Sequence, residues 1–487
     1  MNRQRARPIS LPILVSVLLA ASLALNVPVT SGFVERGEGG GSEGPPPGEP
    51  GAASQRYTFR SLIDFAGGQL TTDQTLEWTN RGSSAAGSID LSVLPRALGI
   101  FTLDSINVDG QSTAPSWTTT TNMRVTFPRP VLPAGTVRID ISFTLAVGGP
   151  RSGLRDRIAR RNGVINFGNW FPIWSREHDA YGIGDPQVSY SADSMRLELN
   201  ATRALGVEAV TSSGSRLSAS ASSWVFEAAN VRDFAFAVSP DFRLETGSVT
   251  CREGGNTYTT KVTAHTVTVS TSTVLRTAMR ALRTFNSWYG CYRWPTFSLA
   301  EAAVVEAAEY PTMILLDPVW ATNSYILYHE VAHQWWYAVV GNDQLDEPWV
   351  DEAWAQFSAS FALGVPFSSC ALRDIDLSIT SWRGTATSGE WLGPQSYVET
   401  VYYRGAQFLN EIRLRMGSSA FFAAARRFIE ANRYQLVTGE QLLAALEAGT
   451  SANLRPIIQE YTSFDGQGAV QVASAMLAGL PGHCPRR

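Results

Sequence analysis

The sequence predicts an α+β chain, an N-terminal all-β domain followed by a mainly helical domain, and three observations carry this expectation. Between about Tyr57 and Leu244, short stretches rich in Val, Ile, Thr, Phe and Trp are broken by Gly, Pro, Asn and Asp turns. The run from Thr136 to Phe143 has the period of two that half-buried strands show. From about Val249 the pattern changes, and long segments with helical spacing dominate to near the C-terminus. Third, two histidines four apart, His329 and His333, are followed after eighteen residues by Glu352, a spacing that suits two neighbouring helices. At 487 residues the chain is too long for one ordinary core, which fits two domains plus accessory sequence.

Residues 1–30 begin with Arg3, Arg5 and Arg7 ahead of an apolar run from Leu11 to Leu25, with weaker apolar character through Val29. A charged segment followed by such a run is an export signal. It is either a cleaved signal peptide or a single-pass membrane anchor with its basic end inside, and both readings make the body of the protein extracytoplasmic. Residues 31–55 carry a Gly-rich stretch and Pro45-Pro46-Pro47 with little to bury, and read as a disordered linker. Residues 56–246 form the expected β domain. Residues 247–487 open with a strand candidate from Thr257 to Val269 and a helix from about Val274 to Tyr289. Later helices are expected from Tyr397 to Met416, ending at Gly417, from Ser418 to about Asn432, and from Gly439 to Glu447 behind a Thr438-x-x-Gln441 capping box.

Composition narrows the function. The formal net charge of -4 and the scattered arginines give no basic footprint, and no Gly-rich phosphate loop is present, so nucleic acid is not an expected partner. No repeat of 20 to 50 residues is evident. Four cysteines in an exported chain suggest two disulfides. Of the three pairings, Cys251 with Cys291 and Cys370 with Cys484 are favoured, because each would staple one region of the second domain.

The histidine motif carries the chemistry. Residues four apart lie on one helical face, so His329 and His333 can present two imidazole nitrogens to one metal ion, with Glu330 beside it. A third ligand must come from another element, and an open position must remain for water. Glu352 is the candidate. Asn323 or Ser324 can cap the first helix, Gly341 lies just past its expected end, and Pro348 suits the opening of the second. A zinc ion with Glu330 as general base is the implied machinery. Trp335 and Trp336 read as core or cleft wall.

The run from His329 to Trp336, with Glu347-Pro348-Trp349-Val350-Asp351-Glu352-Ala353, closely resembles the zinc signature of the aminopeptidase N family of gluzincin metallopeptidases. Upstream, Ala307-Ala308-Glu309-Tyr310-Pro311 is similar to the family segment whose glutamate holds the substrate's free amino terminus. Downstream, Tyr402-Tyr403-Arg404-Gly405-Ala406 is similar to the segment whose tyrosine stabilises the transition state. Asn169-Trp170-Phe171-Pro172 and Val231-Arg232-Asp233-Phe234-Ala235 resemble, more weakly, segments of the family's N-terminal β domain. The resemblance implies a thermolysin-like catalytic domain and one Zn2+ per chain held by His329, His333 and Glu352. It implies catalysis by Glu330 and Tyr402, amine binding by Glu309, and peptides with free N-termini as substrates. The chain departs from the family at Glu306 and Ala307, where glycines are usual, at Asp351 for Asn, at Ala353 for Gly and at Arg404 for Lys. An endopeptidase with the same site, a hydrolase of small epoxides or esters, and a surface binding protein with a structural zinc are the competing readings. The sequence indicates neither the oligomeric state nor the preferred N-terminal residue.

Overall fold

The computed structural model describes residues 55–150, 157–175, 189–367, 380–381, 384–385, 397–462 and 464. The export segment, residues 31–54 of the expected linker, Cys370 and Cys484 lie outside the described residues, and Gln55, expected as the linker's last residue, instead opens a strand. Among the described residues no helix is long and apolar enough to cross a membrane.

Alternation builds the β region as expected. The strand Thr136–Ala146 buries Val137, Ile139, Ile141, Phe143 and Leu145 on one face and turns the intervening residues outward. It belongs to an eight-stranded sheet in which Gln55–Asp64 is central, pairing antiparallel with Gln69–Thr79 and parallel with Ala192–Ala201. Two four-stranded sheets pack with it. Phe59, Phe171 and Phe236 surround the fully buried Trp170 with ring centroids 4.9 to 5.2 Å away, which fills the space between layers.

A separate five-stranded sheet follows, in the order Arg243–Glu253, Asn256–Thr266, Thr296–Glu301, Met313–Leu316, Ala307–Tyr310. Its last strand is an edge, paired antiparallel with Met313–Leu316 only. The strand expected to reach Val269 stops at Thr266. There the buried Glu301 carboxylate accepts the backbone N–H groups of Val267, Thr268 and Val269 and the Thr268 hydroxyl, pulling the chain into a turn. Helix Thr271–Tyr289 then runs along the sheet and ends at Gly290, whose φ of 94° favours glycine. The disulfide between Cys251 and Cys291 forms as expected, with Cα atoms 5.7 Å apart, and ties the end of this helix back to the first strand of the sheet.

The C-terminal helices fall close to expectation at Ser418–Ala431 and Gly439–Ala448, the latter with its Thr438/Gln441 capping box complete. One expected helix divides. Residues Val398–Arg404 are wound as a π-helix before the α-helix Gly405–Met416 begins.

Candidate zinc and substrate site

Asn323, not Ser324, caps the first motif helix, accepting the N–H groups of Tyr325 and Ile326. That helix is Ser324–Ala332, and it ends well before Gly341, contrary to expectation. Trp335, Trp336 and Tyr337, each at most 1 % exposed, lie beyond its end, where Tyr337 takes a φ of 122° that lies outside the helical region. Trp336 stacks on Trp354 with centroids 3.9 Å apart, and Trp335 donates its indole N–H to the Gly290 carbonyl. His333 is the C-cap residue and keeps helical angles, so its four-residue relation to His329 survives. The second helix, Trp349–Leu363, follows Pro348 and presents Glu352 from its first turn.

These elements bring three donor atoms together. His329 Nε2 lies 3.1 Å from Glu352 Oε2, His333 Nε2 lies 3.1 Å from His329 Nε2, and His333 Nε2 lies 3.4 Å from Glu352 Oε2. Donors about 2.0–2.1 Å from a tetrahedral zinc would stand about 3.3 Å apart, so this triangle fits the ion. His333 Nδ1 is 3.0 Å from the Trp336 carbonyl oxygen, which can only accept. That bond fixes the tautomer and leaves the Nε2 lone pair aimed at the triangle.

Glu330 is buried, and its Oε2 has no hydrogen-bond partner. Its carboxylate, that of Glu309 and the His333 imidazole have ligand atoms within 4.8 Å of one another. Burial, and then the Glu309 charge, push the Glu330 carboxyl well above its usual range. Burial acts the same way on Glu352, but His333 and His329 outweigh it and hold that carboxyl low. The two carboxyls are therefore shifted in opposite directions, Glu330 upward and Glu352 downward.

Tyr402 lies in the π-helix with its ring parallel to the His329 imidazole, the planes 9° apart and the centroids 5.7 Å apart. Tyr403 is elsewhere: burial, Glu306 and Glu399 raise its hydroxyl pKa. Arg404 reaches away from the metal triangle, donating to the Glu460 carbonyl at 2.9 Å and lying 4.2 Å over the Tyr461 ring. Its guanidinium packs the helices together.

Glu309 is on the edge strand, 4 % exposed. The strand enters through Glu306, whose φ of 59° lies in the region glycine favours, so a side chain there costs roughly 1–2 kcal/mol. Gln334, next to His333, pins the far end by accepting the Thr312 N–H at 2.8 Å and donating to the Tyr310 carbonyl at 3.0 Å. The β region supplies a third hold. The Tyr310 hydroxyl donates to Asn169 Oδ1 at 3.0 Å, and Asn169 donates to Asp233 at 2.6 Å. Gly168 allows this approach, because a Cβ there would collide with the Tyr310 ring. Burial raises the Asp233 carboxyl to about 7, although the Phe234 N–H and Arg157 oppose the shift.

Sequence reasoning left Gln334 and Asp351 unassigned and did not single out Asn342 or Gln344. Asp351 accepts Asn342 Nδ2 at 2.9 Å and also the Gln344 amide, and Gln344 Nε2 lies 3.4 Å from Glu309 Oε1. Amide side chains at 342 and 344, between two helices, are the signal that could have found them.

No protein-family model matches the chain. It is 24 % identical over 162 residues to the probable aminopeptidase 2 of Sulfurisphaera tokodaii, a match spanning 30 % of this chain and only 21 % of that protein. A crystal structure of a mutant M1 zinc metallopeptidase from Deinococcus radiodurans superposes with a TM-score of 0.63 at 18 % identity, covering 84 % of this chain and 93 % of that one. The same protein bound to a Tyr-Ser-Ala substrate superposes with a TM-score of 0.61 at 17 % identity, with coverage of 84 % and 93 %. Aminopeptidase A of Legionella pneumophila, in complex with aspartic acid, gives a TM-score of 0.61 at 12 % identity, with coverage of 85 % and 50 %.

Proposed function

We propose that this chain, which has the fold of the M1 zinc metallopeptidases, is a zinc-dependent aminopeptidase that removes single residues from the free N-termini of peptides. The convergence of His329, His333 and Glu352 at 3.1 to 3.4 Å, with Glu330 and Glu309 beside them, is the observation that carries this reading. Residues 56–246 are read as the β domain and 247–487 as a thermolysin-like catalytic domain. Work outside the cytoplasm is supported by the arginine-led apolar N-terminus and by the Cys251–Cys291 bridge.

His329, His333 and Glu352 would hold one zinc ion, which when bound polarises a carbonyl and lowers the pKa of water. Glu330 takes the proton of the attacking water and passes it to the departing amine. Tyr402 Oη donates to the oxygen on which negative charge develops. Glu309 pairs with the substrate ammonium, so the bond cut is the one after the first residue. His329, His333, Glu352, Glu330 and Glu309 act from buried positions, where charge interactions are strong, and Tyr402 is half-buried beside them.

Purified full-length protein assayed on aminoacyl amides and on an N-acetylated peptide tests this reading. Stepwise loss of N-terminal residues, abolished by a chelator and restored by zinc, is expected. Glu330→Ala should bind one zinc per chain without turning over, whereas His329→Ala, His333→Ala and Glu352→Ala should weaken the metal. Internal cuts in the blocked peptide would make the protein an endopeptidase instead.

A further inference from the structure

We propose that Gln344 is a positioning residue that fixes the Glu309 carboxylate and thereby sets the preference for a free N-terminus, an inference that rests on the aminopeptidase reading. Gln344 is 1 % exposed and belongs to the segment joining the two motif helices. Its amide nitrogen carries two hydrogens and meets two carboxylates, Asp351 Oδ2 and, at 3.4 Å, Glu309 Oε1. Asp351 is itself held by Asn342 Nδ2 at 2.9 Å, and Asn342 Nδ2 also donates to the Glu347 carbonyl at 3.1 Å. Asp351 immediately precedes Glu352. An unbroken line of contacts therefore runs from the helix that supplies the third metal donor, through Asp351 and Gln344, to the carboxylate on the edge strand.

The chemistry of an amide suits this place. Glu309 and Glu330 have carboxylate oxygens within 4.8 Å of each other in a buried cleft, so their repulsion favours turning Glu309 away. A lysine or arginine at 344 would hold Glu309 but cancel the charge that a substrate ammonium must meet. A glutamine donates a hydrogen bond and leaves the charge in place. Asparagine would be a methylene too short to span Asp351 and Glu309, and glutamate would add a third like charge. Asp351 makes the other half of the arrangement: its two oxygens accept the Asn342 and Gln344 amides, which turns the Gln344 nitrogen toward the two carboxylates.

The test uses zinc-loaded full-length protein and two probes, leucine hydroxamate and its des-amino analogue, which share a metal-binding head and differ in the ammonium group. The wild type should bind the amine-bearing probe more tightly. Gln344→Met, close in volume and lacking the donor, should reduce that preference about tenfold, the scale of one hydrogen bond to a charged group. On aminoacyl amides KM should rise by a similar factor while kcat changes less than about threefold. Gln344→Glu should lose the preference as well, although its length is kept. If the wild type prefers the amine-bearing probe and Gln344→Met keeps the full preference, the positioning role is overturned. Equal weakening of both probes with loss of zinc would also overturn it, in favour of a purely structural role. A wild type indifferent to the amine would overturn the aminopeptidase reading, and the inference with it.

Discussion

Replacing His265 should flatten the acid side of the stability profile, and the size of the effect follows from where that imidazole sits. His265 is 4 % exposed on the strand Asn256–Thr266, its Nδ1 has no hydrogen-bond partner, and the Phe242 ring stands edge-on 5.6 Å away. Burial lowers its pKa from 6.5 to about 4; Arg216 and Lys261 add to the shift and Glu208 opposes it. The folded protein therefore keeps His265 neutral while the unfolded chain takes up a proton near pH 6.5. Stability from this group is fully present above about pH 6.5 and is lost progressively as pH falls toward 4. A displacement of that size corresponds to about 3 kcal/mol across the window.

Wild type alone cannot isolate this contribution, because Asp233, raised to about 7, has the opposite slope. The comparison is with His265→Leu, in which the acid-induced loss of zinc and the Asp233 contribution recur and cancel. Urea unfolding followed by tryptophan fluorescence at pH 7, 6, 5 and 4.5 gives the difference in unfolding free energy at each pH. That difference should shift in favour of the variant by about 2–3 kcal/mol between pH 7 and 4.5. Two parallel profiles would mean that His265 reaches water or a partner in solution, and the burial argument would fail.

Tyr402→Phe keeps the ring against His329 and removes only the hydroxyl, so kcat should fall by about 10²–10³, the usual cost of one oxyanion donor, with KM little changed. Tyr403→Phe, at a residue that responds to Glu306 and Glu399, should be nearly silent in the same assay, and the reverse ranking would exchange the two roles. Opening the Cys251–Cys291 bridge releases a loop with a sequence separation of 40, worth about 4 kcal/mol by chain entropy. The Cys251→Ser/Cys291→Ser double variant should show that loss in denaturant unfolding at pH 7, and an unchanged midpoint would mean that the bridge constrains nothing.

How much of the site could be read from the sequence follows from how far apart its parts lie along the chain. His329 and His333 are related by one helical turn, and Glu352 by a short connection and a second helix start, so residue spacing alone carries their geometry. Glu309 and Tyr402 were legible only through resemblance, since no local period links an edge strand or a later helix to a metal. The contacts that hold Glu309 were not legible at all. Tyr310 meets Asn169 across 141 residues, and Asn169 meets Asp233 across 64, distances over which composition and periodicity carry no information. Local signals misled at two places. Gly341 marks a place where a helix can stop, yet the helix ends at Ala332 and the chain follows a non-helical path in which Tyr337 has a φ of 122°. The π-helix at Val398–Arg404 was hidden because helical spacing in a sequence does not separate 3.6 residues per turn from a wider local winding. Its consequence falls on the chemistry. A wider turn changes the angle at which successive side chains leave the helix, and in that turn Tyr402 faces His329 while Tyr403 does not. The choice between these two tyrosines therefore belongs to the backbone, and no count of residues from the metal ligands could have made it.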